Sequence, residues 1–203
     1  MNSSKLIKQI YSYLGFRLVE KTDETDAAIL KCLDELQEIA HFRYKYKFFN
    51  SPPAFLLKEP YLSYLGASKG VILSVMTLGG EVDARIKFLE RTHAAKAIVF
   101  DACASAYLEF LSDDYEKTLG ELSYRFCPGY GGSDISDIKY IFEILKPEKI
   151  GVTLSETNYM LPSKSMAGVI AVGGKAQKTC KNCIVAAHCV YKKGGAKCYD
   201  SEK

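Results

Sequence analysis

The sequence predicts an α+β fold: a single layered domain with a mixed or antiparallel sheet and flanking helices, followed by a short Cys-rich C-terminal tail. Of its 203 residues, 48% are hydrophobic and 25% are charged, a globular composition that excludes a mainly disordered or fibrous chain. Helical and strand patterns interleave, but their connections vary too much in length for a regular βαβ repeat. We expect the domain to cover residues 1–174, with 1–24 as a helical lead-in, and the tail to cover 175–203.

Apolar periodicity predicts the elements of the first half of the chain. Leu6 and Ile10 begin a helical spacing that stops near Gly15, and a longer apolar stripe follows the polar run 22–26, which offers several N-cap residues. The run 71–76 is rich in β-branched residues, which predicts a central strand buried on both faces. The other predicted elements are a helix ending near His41, a strand over 44–48, a possible strand over 54–57, a helical turn over 61–65 and helices over 81–91 and 94–119.

The second half is predicted by the same criteria. The expected elements are a strand over 122–126, a loop over 127–133, a helix over 136–146, a strand over 150–154, a loop around Pro162 and a strand over 166–172. Gly173 and Gly174 mark the domain boundary, because apolar periodicity fades after them and Lys and Cys dominate.

The charge distribution gives no reason to expect a nucleic-acid or membrane partner. The formal net charge is +3, and the basic character belongs to the tail. No stretch approaches the roughly 18 apolar residues that a spanning helix needs, and the N-terminal segment has no cleavage-site pattern. We therefore expect a cytoplasmic protein.

The chain contains seven Cys, and four of them crowd into the tail: Cys180, Cys183, Cys189 and Cys198. Thiolates at such short intervals can bind one soft ion or cluster, and the neighbouring Lys residues would lower their pKa values. This indicates zinc or an iron-sulfur cluster, with a disulfide or a disordered tail as the alternative. The remaining Cys32, Cys103 and Cys127 lie in apolar surroundings and are interpreted as core thiols.

The loop 125–132 contains the densest local signal. Arg125 ends a predicted strand, where its guanidinium could bind a carboxylate or phosphate by paired hydrogen bonds. Gly129, Gly131 and Gly132 allow a backbone that presents N–H groups to a ligand. The pattern indicates a site for a small anionic or zwitterionic ligand; a tight strand-to-helix connection with an incidental Arg is the alternative.

A second polar loop, 154–165, also follows a predicted strand. It places hydroxyls, a carboxylate and a phenol close together, as a site for a polar molecule would. Solvated loop chemistry with an Asn or Ser cap is the alternative. The candidate binding residues in this loop are Ser155, Glu156, Tyr159 and Ser165.

These two loops resemble the activation domain of cobalamin-dependent methionine synthase. The family's motif for S-adenosylmethionine is Arg-x-x-x-Gly-Tyr, which Arg125, Gly129 and Tyr130 match, with Cys127 inside the motif. Its Thr/Ser-Glu-Ser/Thr loop, followed by a Pro and small hydroxyl residues, is similar to 155–165. Glu109 is the best positional match for an acidic ligand-facing residue on the family's small-residue helix. The likeness covers roughly residues 25–172, and this chain looks like a free-standing version.

The resemblance implies an accessory protein that binds S-adenosylmethionine and caps a corrinoid during reductive methylation, with no catalytic residue of its own. The cobalamin would belong to a partner, a corrinoid protein or methionine synthase core subunit, and a reductant such as flavodoxin or ferredoxin would supply an electron. Two other hypotheses stay open. The tail cluster could act in electron transfer or metal sensing, with the domain as a docking platform, or the ligand site could be vestigial.

Overall fold

The computed structural model describes residues 3–15 and 22–174. The helices of these ranges are α1 (Ser3–Tyr13), α2 (Asp23–Ile39), α3 (Tyr61–Leu65), α4 (Gly80–Thr92), α5 (Ala94–Lys117) and α6 (Ile138–Leu145). The strands are β1 (Arg43–Phe49), β2 (Gly70–Thr77), β3 (Thr153–Leu154), β4 (Met160–Leu161) and β5 (Ser165–Val172). Short 3-10 helices cover Ala54–Leu56, Ile135–Asp137 and Pro147–Ile150.

A three-stranded antiparallel sheet in the order β1-β2-β5 forms the centre of the domain. Arg43 pairs with Thr77 across the first ladder, and Thr77 pairs with Ser165 across the second. Every residue of β2 is buried, as its β-branched run predicted, because helices cover both faces of the sheet. The α+β class and the central strand are therefore confirmed.

Alternate residues of β2 enter two separate cores, since side chains along a strand point to opposite faces. Met76 packs into a cluster built from α1, α2, α4 and α5, with Leu36 and Phe100 at its centre. Val71, Leu73 and Val75 pack into a second cluster with α3 and α6. Cys32 and Cys103 are both buried in the first cluster, which confirms the interpretation of these two as core thiols.

Three predicted strands differ from the structure. The possible strand 54–57 is a 3-10 helix that begins after Pro53, and 150–154 is divided by a left-handed Gly151 (φ 78°) into a 3-10 helix and the short β3. Segment 122–126 makes only isolated bridges to β5, Leu122 with Val172 and Phe126 with Val169. One side thus contains one residue more than the other, as in a β-bulge.

The interruption beside β5 has a side-chain cause. The backbone N–H of Ala171 donates to the hydroxyls of Tyr64 and Ser123, both at 3.1 Å. Tyr64 also donates to the Val169 carbonyl at 3.1 Å. The Tyr64 hydroxyl from α3 and the Ser123 hydroxyl from the bulged segment itself therefore take up the Ala171 N–H, which a continuous ladder would have used. Among the described helices, none is long and apolar enough to cross a bilayer.

Candidate functional site

The loop after Phe126 is a compact series of turns. The Tyr130 N–H donates to the Cys127 carbonyl at 3.2 Å, and the Gly129 N–H donates to the Ser133 hydroxyl at 3.0 Å. Gly129 has φ 87° and lies against Ile135, where a Cβ would come to 3.0 Å from the Ile135 Cδ1. A glycine is thus required here by both conformation and space. The two N–H groups just named are used within the loop itself.

Arg125 lies beneath this loop in a buried charge network. Its side chain is 7% exposed, and its guanidinium pairs with Glu116 at 2.5 Å and with Asp113 at 3.2 Å. The Tyr44 hydroxyl also donates to Glu116 at 2.9 Å. Burial favours a neutral group, but the negative charges of Glu116, Cys127 and Asp113 outweigh it and raise the pKa of Arg125.

The two carboxylates that meet Arg125 differ in their surroundings. Burial raises the pKa of Glu116, against the opposing effect of Arg125. The Asp113 side chain is 51% exposed. Glu116 is therefore a buried partner of the guanidinium, whereas Asp113 lies at the solvent edge. The sequence indicated Arg125, but neither of its carboxylate partners.

Glu109 lies on α5 near the same loop and is bound by α1. Gln9 donates to its Oε2 at 2.5 Å, and the Tyr13 hydroxyl donates to its Oε1. Among residues 3–15 and 22–174, no Lys, Arg or His forms an ion pair with Glu109. Desolvation and the charges of Cys127 and Glu109 raise the pKa of Tyr130, which places these three predicted residues in one neighbourhood. The Tyr130 side chain is exposed.

A surface cavity of about 420 Å³ adjoins this neighbourhood. Tyr13 forms part of its wall, together with a stripe of α5 that includes Ala97, Asp101 and Ser105. The volume falls within the usual range of small-molecule sites, roughly 300–1,000 Å³. The sequence predicted the small-residue character of α5 but gave no sign that Tyr13 would close the cavity.

The second polar loop has its own internal order. The Ser155 hydroxyl accepts from the Tyr159 N–H at 3.0 Å and lies 3.0 Å from the Thr157 hydroxyl, so it stabilises the β3–β4 turn. Glu156 and Tyr159 are exposed on this hairpin. Ser165 is buried, and its hydroxyl donates to Thr77 at 2.9 Å. The electrostatic influence of Cys127 and Glu109 on Tyr130 indicates that these three residues lie near one another, whereas Ser155, Glu156 and Tyr159 lie on the β3–β4 hairpin and Ser165 lies at the start of β5.

The end of this loop is fastened to the helical layer. Asp83 of α4 accepts from the Ser163 N–H at 2.6 Å and from the Ser163 hydroxyl at 2.8 Å. Lys164 reaches α5, with its Nζ 2.8 Å from Asp101 and 2.9 Å from the Ser105 hydroxyl. These contacts connect β5 to the wall of the cavity beside Tyr13.

Metal ligands were predicted only in the tail. Cys180, Cys183, Cys189 and Cys198 lie outside the described residues. Within residues 3–15 and 22–174, no three His, Cys, Asp or Glu side chains are grouped as metal ligands would be.

The described residues thus define an α+β domain in which an antiparallel sheet lies between two helical layers. This fold is similar to that in the crystal structure of the MetH reactivation domain bound to AdoHcy, with a TM-score of 0.55 and 16% sequence identity. The match covers 86% of this chain and 73% of that chain. The fold implied by the resemblance in sequence is therefore confirmed. No protein-family model matches the chain, and the comparison with curated proteins gives no match.

Proposed function

We propose that this chain is an accessory protein for the reactivation of a cobalamin-dependent methyltransferase of the methionine synthase type. It binds S-adenosylmethionine and docks on the partner's corrinoid module, as a free-standing counterpart of a reactivation domain. The observation that carries this proposal is the fold shared with a reactivation domain bound to AdoHcy. The motif Arg125, Gly129 and Tyr130 supports it.

The charges of the described site fit this ligand. S-adenosylmethionine carries a sulfonium and an ammonium group, and Glu109 offers a carboxylate that accepts from two neutral donors, Gln9 and Tyr13. When bound, S-adenosylmethionine would supply a methyl group and leave as S-adenosylhomocysteine, while flavodoxin or ferredoxin would supply one electron to the partner's corrinoid. The residues of this chain bind, orient and exclude water, so no general acid, base or nucleophile is needed.

Arg125 is the proposed partner of the ligand's carboxylate. Its bond to the buried Glu116 is retained, and the ligand replaces the exposed Asp113 at the other guanidinium nitrogen. An Arg side chain has five N–H donors in a planar fork, so it can serve a buried and an incoming carboxylate together. Tyr130 and Cys127 border the same position, and Ser155, Glu156, Tyr159 and Ser165 remain proposed contacts from the second loop.

Titration calorimetry with S-adenosylmethionine tests the ligand. The wild-type protein should bind it, and Glu109→Gln should weaken binding about tenfold or more, the usual loss for a hydrogen bond to a charged group. Equal affinity in both proteins would remove Glu109 from the site. A wild-type protein that gives no heat would overturn the proposed binding and favour a vestigial site.

Two variants on α5 test whether the ligand replaces Asp113 at the Arg125 guanidinium. Asp113→Asn frees one side of the guanidinium and should tighten S-adenosylmethionine binding about two- to fivefold, the effect of removing a competing exposed ion pair. Asp114 is also exposed but pairs with Lys117 at 3.1 Å, so Asp114→Asn should change the affinity little. Weaker binding by Asp113→Asn, or equal gains in both variants, would contradict the exchange.

The tail supports a second proposed function, because four Cys lie in residues 175–203 among several Lys. We propose that Cys180, Cys183, Cys189 and Cys198 bind one zinc ion or iron-sulfur cluster, which would allow an electron-transfer role. Protein purified without oxygen should contain metal, and the double variant Cys180→Ser/Cys183→Ser should lose it. Cys127→Ser is the control that should keep it. Absence of metal from the wild-type protein would leave a disulfide or flexible segment instead.

A further inference from the structure

The N-terminal helix places two side chains on one carboxylate of α5. Gln9 and Tyr13 are four positions apart on α1, so they lie on the same face of the helix. They bind different oxygens of Glu109, Gln9 at Oε2 and Tyr13 at Oε1. Two neutral donors from one helix therefore fix both the position and the rotation of this carboxylate.

The helix that carries these donors is itself firmly anchored. Leu6 and Ile10 are 1% and 0% exposed within the first hydrophobic cluster. On the same helix, the Tyr11 hydroxyl donates to Asp26 of α2. α1 is therefore part of the core, and it presents Gln9 and Tyr13 to Glu109 from a packed helix.

The chemistry of Gln9 and Tyr13 decides whether they orient the Glu109 carboxylate for a ligand or use up its hydrogen-bonding capacity. A carboxylate has about four acceptor positions on its two oxygens, and Gln9 and Tyr13 use two of them. Tyr13 is 46% exposed, but partial desolvation of its hydroxyl and the charge of Glu109 raise its pKa, so its phenol remains a neutral donor. Neutral donors leave the negative charge in place, in contrast to Arg125, which two carboxylates neutralise.

We infer that Gln9 and Tyr13 are positioning residues that orient the Glu109 carboxylate toward the cationic part of the bound ligand. This inference rests on the proposed function and extends the site to α1, which lies outside both loops. It also explains why Tyr13 has its ring on the cavity wall and its hydroxyl on Glu109. Glu109 follows Ser105 of the cavity wall by one turn of α5, so a ligand in the cavity that extends along α5 would reach a carboxylate held in a fixed orientation.

The test compares two Tyr→Phe changes on the same helix by calorimetry with S-adenosylmethionine. Tyr13→Phe keeps the ring and the cavity wall but removes the donor, and it should weaken binding about three- to tenfold, less than the loss of the carboxylate itself, because Gln9 still binds the other oxygen. Tyr11→Phe removes a phenol–carboxylate bond directed at α2 instead, and its affinity should equal that of the wild type. Gln9→Met should weaken binding to a similar or smaller extent than Tyr13→Phe.

A double-mutant cycle separates positioning from general loosening of the domain. If Tyr13 acts through Glu109, Tyr13→Phe should have no further effect in a Glu109→Gln background. The same loss in both backgrounds would mean a structural role and overturn the inference, as would equal losses in Tyr11→Phe and Tyr13→Phe. Tighter binding by Tyr13→Phe would mean that α1 blocks Glu109. A wild-type protein that does not bind overturns the proposed function itself, whereas binding unchanged by Tyr13→Phe overturns this inference alone.

Discussion

Replacing Arg125 with Met is expected to lower the free energy of unfolding by about 3 to 5 kcal/mol, the usual cost of breaking a buried ion pair by removing one partner. The Met side chain keeps most of the packing of the Arg stem, so the loss reports the charge. Glu116 would be left as a buried carboxylate that keeps the Tyr44 hydroxyl as a hydrogen-bond donor but has lost its cation. Urea denaturation of the wild type and the variant measures the difference.

Two controls identify the ion pair as the cause. Arg91→Met, at an exposed position of α4, should stay within about 0.5 kcal/mol of the wild type. Adding Glu116→Met to Arg125→Met should recover a large part of the stability, because a buried pair replaced by apolar residues is often neutral. A double variant as unstable as the sum of both single changes would show that the charges are not coupled.

The loss should also depend on pH. Burial raises the pKa of Glu116 above its ordinary value of 4.5, and removal of Arg125 raises it further. The folded variant then retains a proton that the unfolded chain releases, so its stability falls as pH rises from about 4.5 through the folded pKa. A deficit that is smaller at pH 4 than at pH 7 is the expected result, and a constant deficit would contradict the assignment.

Replacing Gly168 with Ala is expected to cost up to about 3 kcal/mol, the range for adding a methyl group to a well-packed position. The new Cβ would overlap the Arg125 Cγ, lie 2.8 Å from its Cδ and come to 3.4 Å from the Phe126 carbonyl oxygen. Arg125 cannot easily move away, because Glu116 and Asp113 hold its guanidinium. The close approach of the Arg stem to β5 thus requires a residue without a side chain.

Gly80 provides the matched control for this substitution. A Cβ there would meet nothing within 4 Å, and the residue begins α4, so Gly80→Ala should be neutral or slightly stabilising. Because Gly168 and Arg125 share the same space, Gly168→Ala should cost much less in an Arg125→Ala background. Additive losses in this pair would mean that Gly168 is constrained by something other than Arg125.

Local sequence patterns were sufficient to predict the elements in which whole faces are buried. The β-branched run of β2 and the apolar stripe of α2 predicted both elements because each buries whole faces. The segment 122–126 was predicted as a strand because its residues have strand propensity, but the Tyr64 hydroxyl, which comes from α3, competes for the backbone of β5. No pattern in one segment can show a hydroxyl that arrives from another.

The sequence motif of the candidate site could be predicted, but the residues that contact it from other elements could not. Arg125, Gly129 and Tyr130 form a contiguous pattern that can be recognised in the sequence. Glu116 and Tyr13 belong to the site through tertiary contacts. Glu116 forms an ion pair with Arg125, and Tyr13 donates to Glu109 where α1 packs against α5. Their only sequence signals are an acidic residue late in α5 and a polar edge on a short helix, which occur in many proteins without such a role.

The antiparallel pairing of β2 with β5 also constrains the order of folding. Arg43 and Thr77 can pair early, but Thr77 meets Ser165 only after α4, α5 and α6 have been traversed. Closing such a long loop is slow relative to local pairing, so β2 must wait for its second neighbour. In that interval one edge of β2 offers unpaired backbone groups beside apolar side chains, the arrangement most prone to intermolecular pairing. The sheet that stabilises the finished domain is therefore the region most exposed to aggregation while the chain folds.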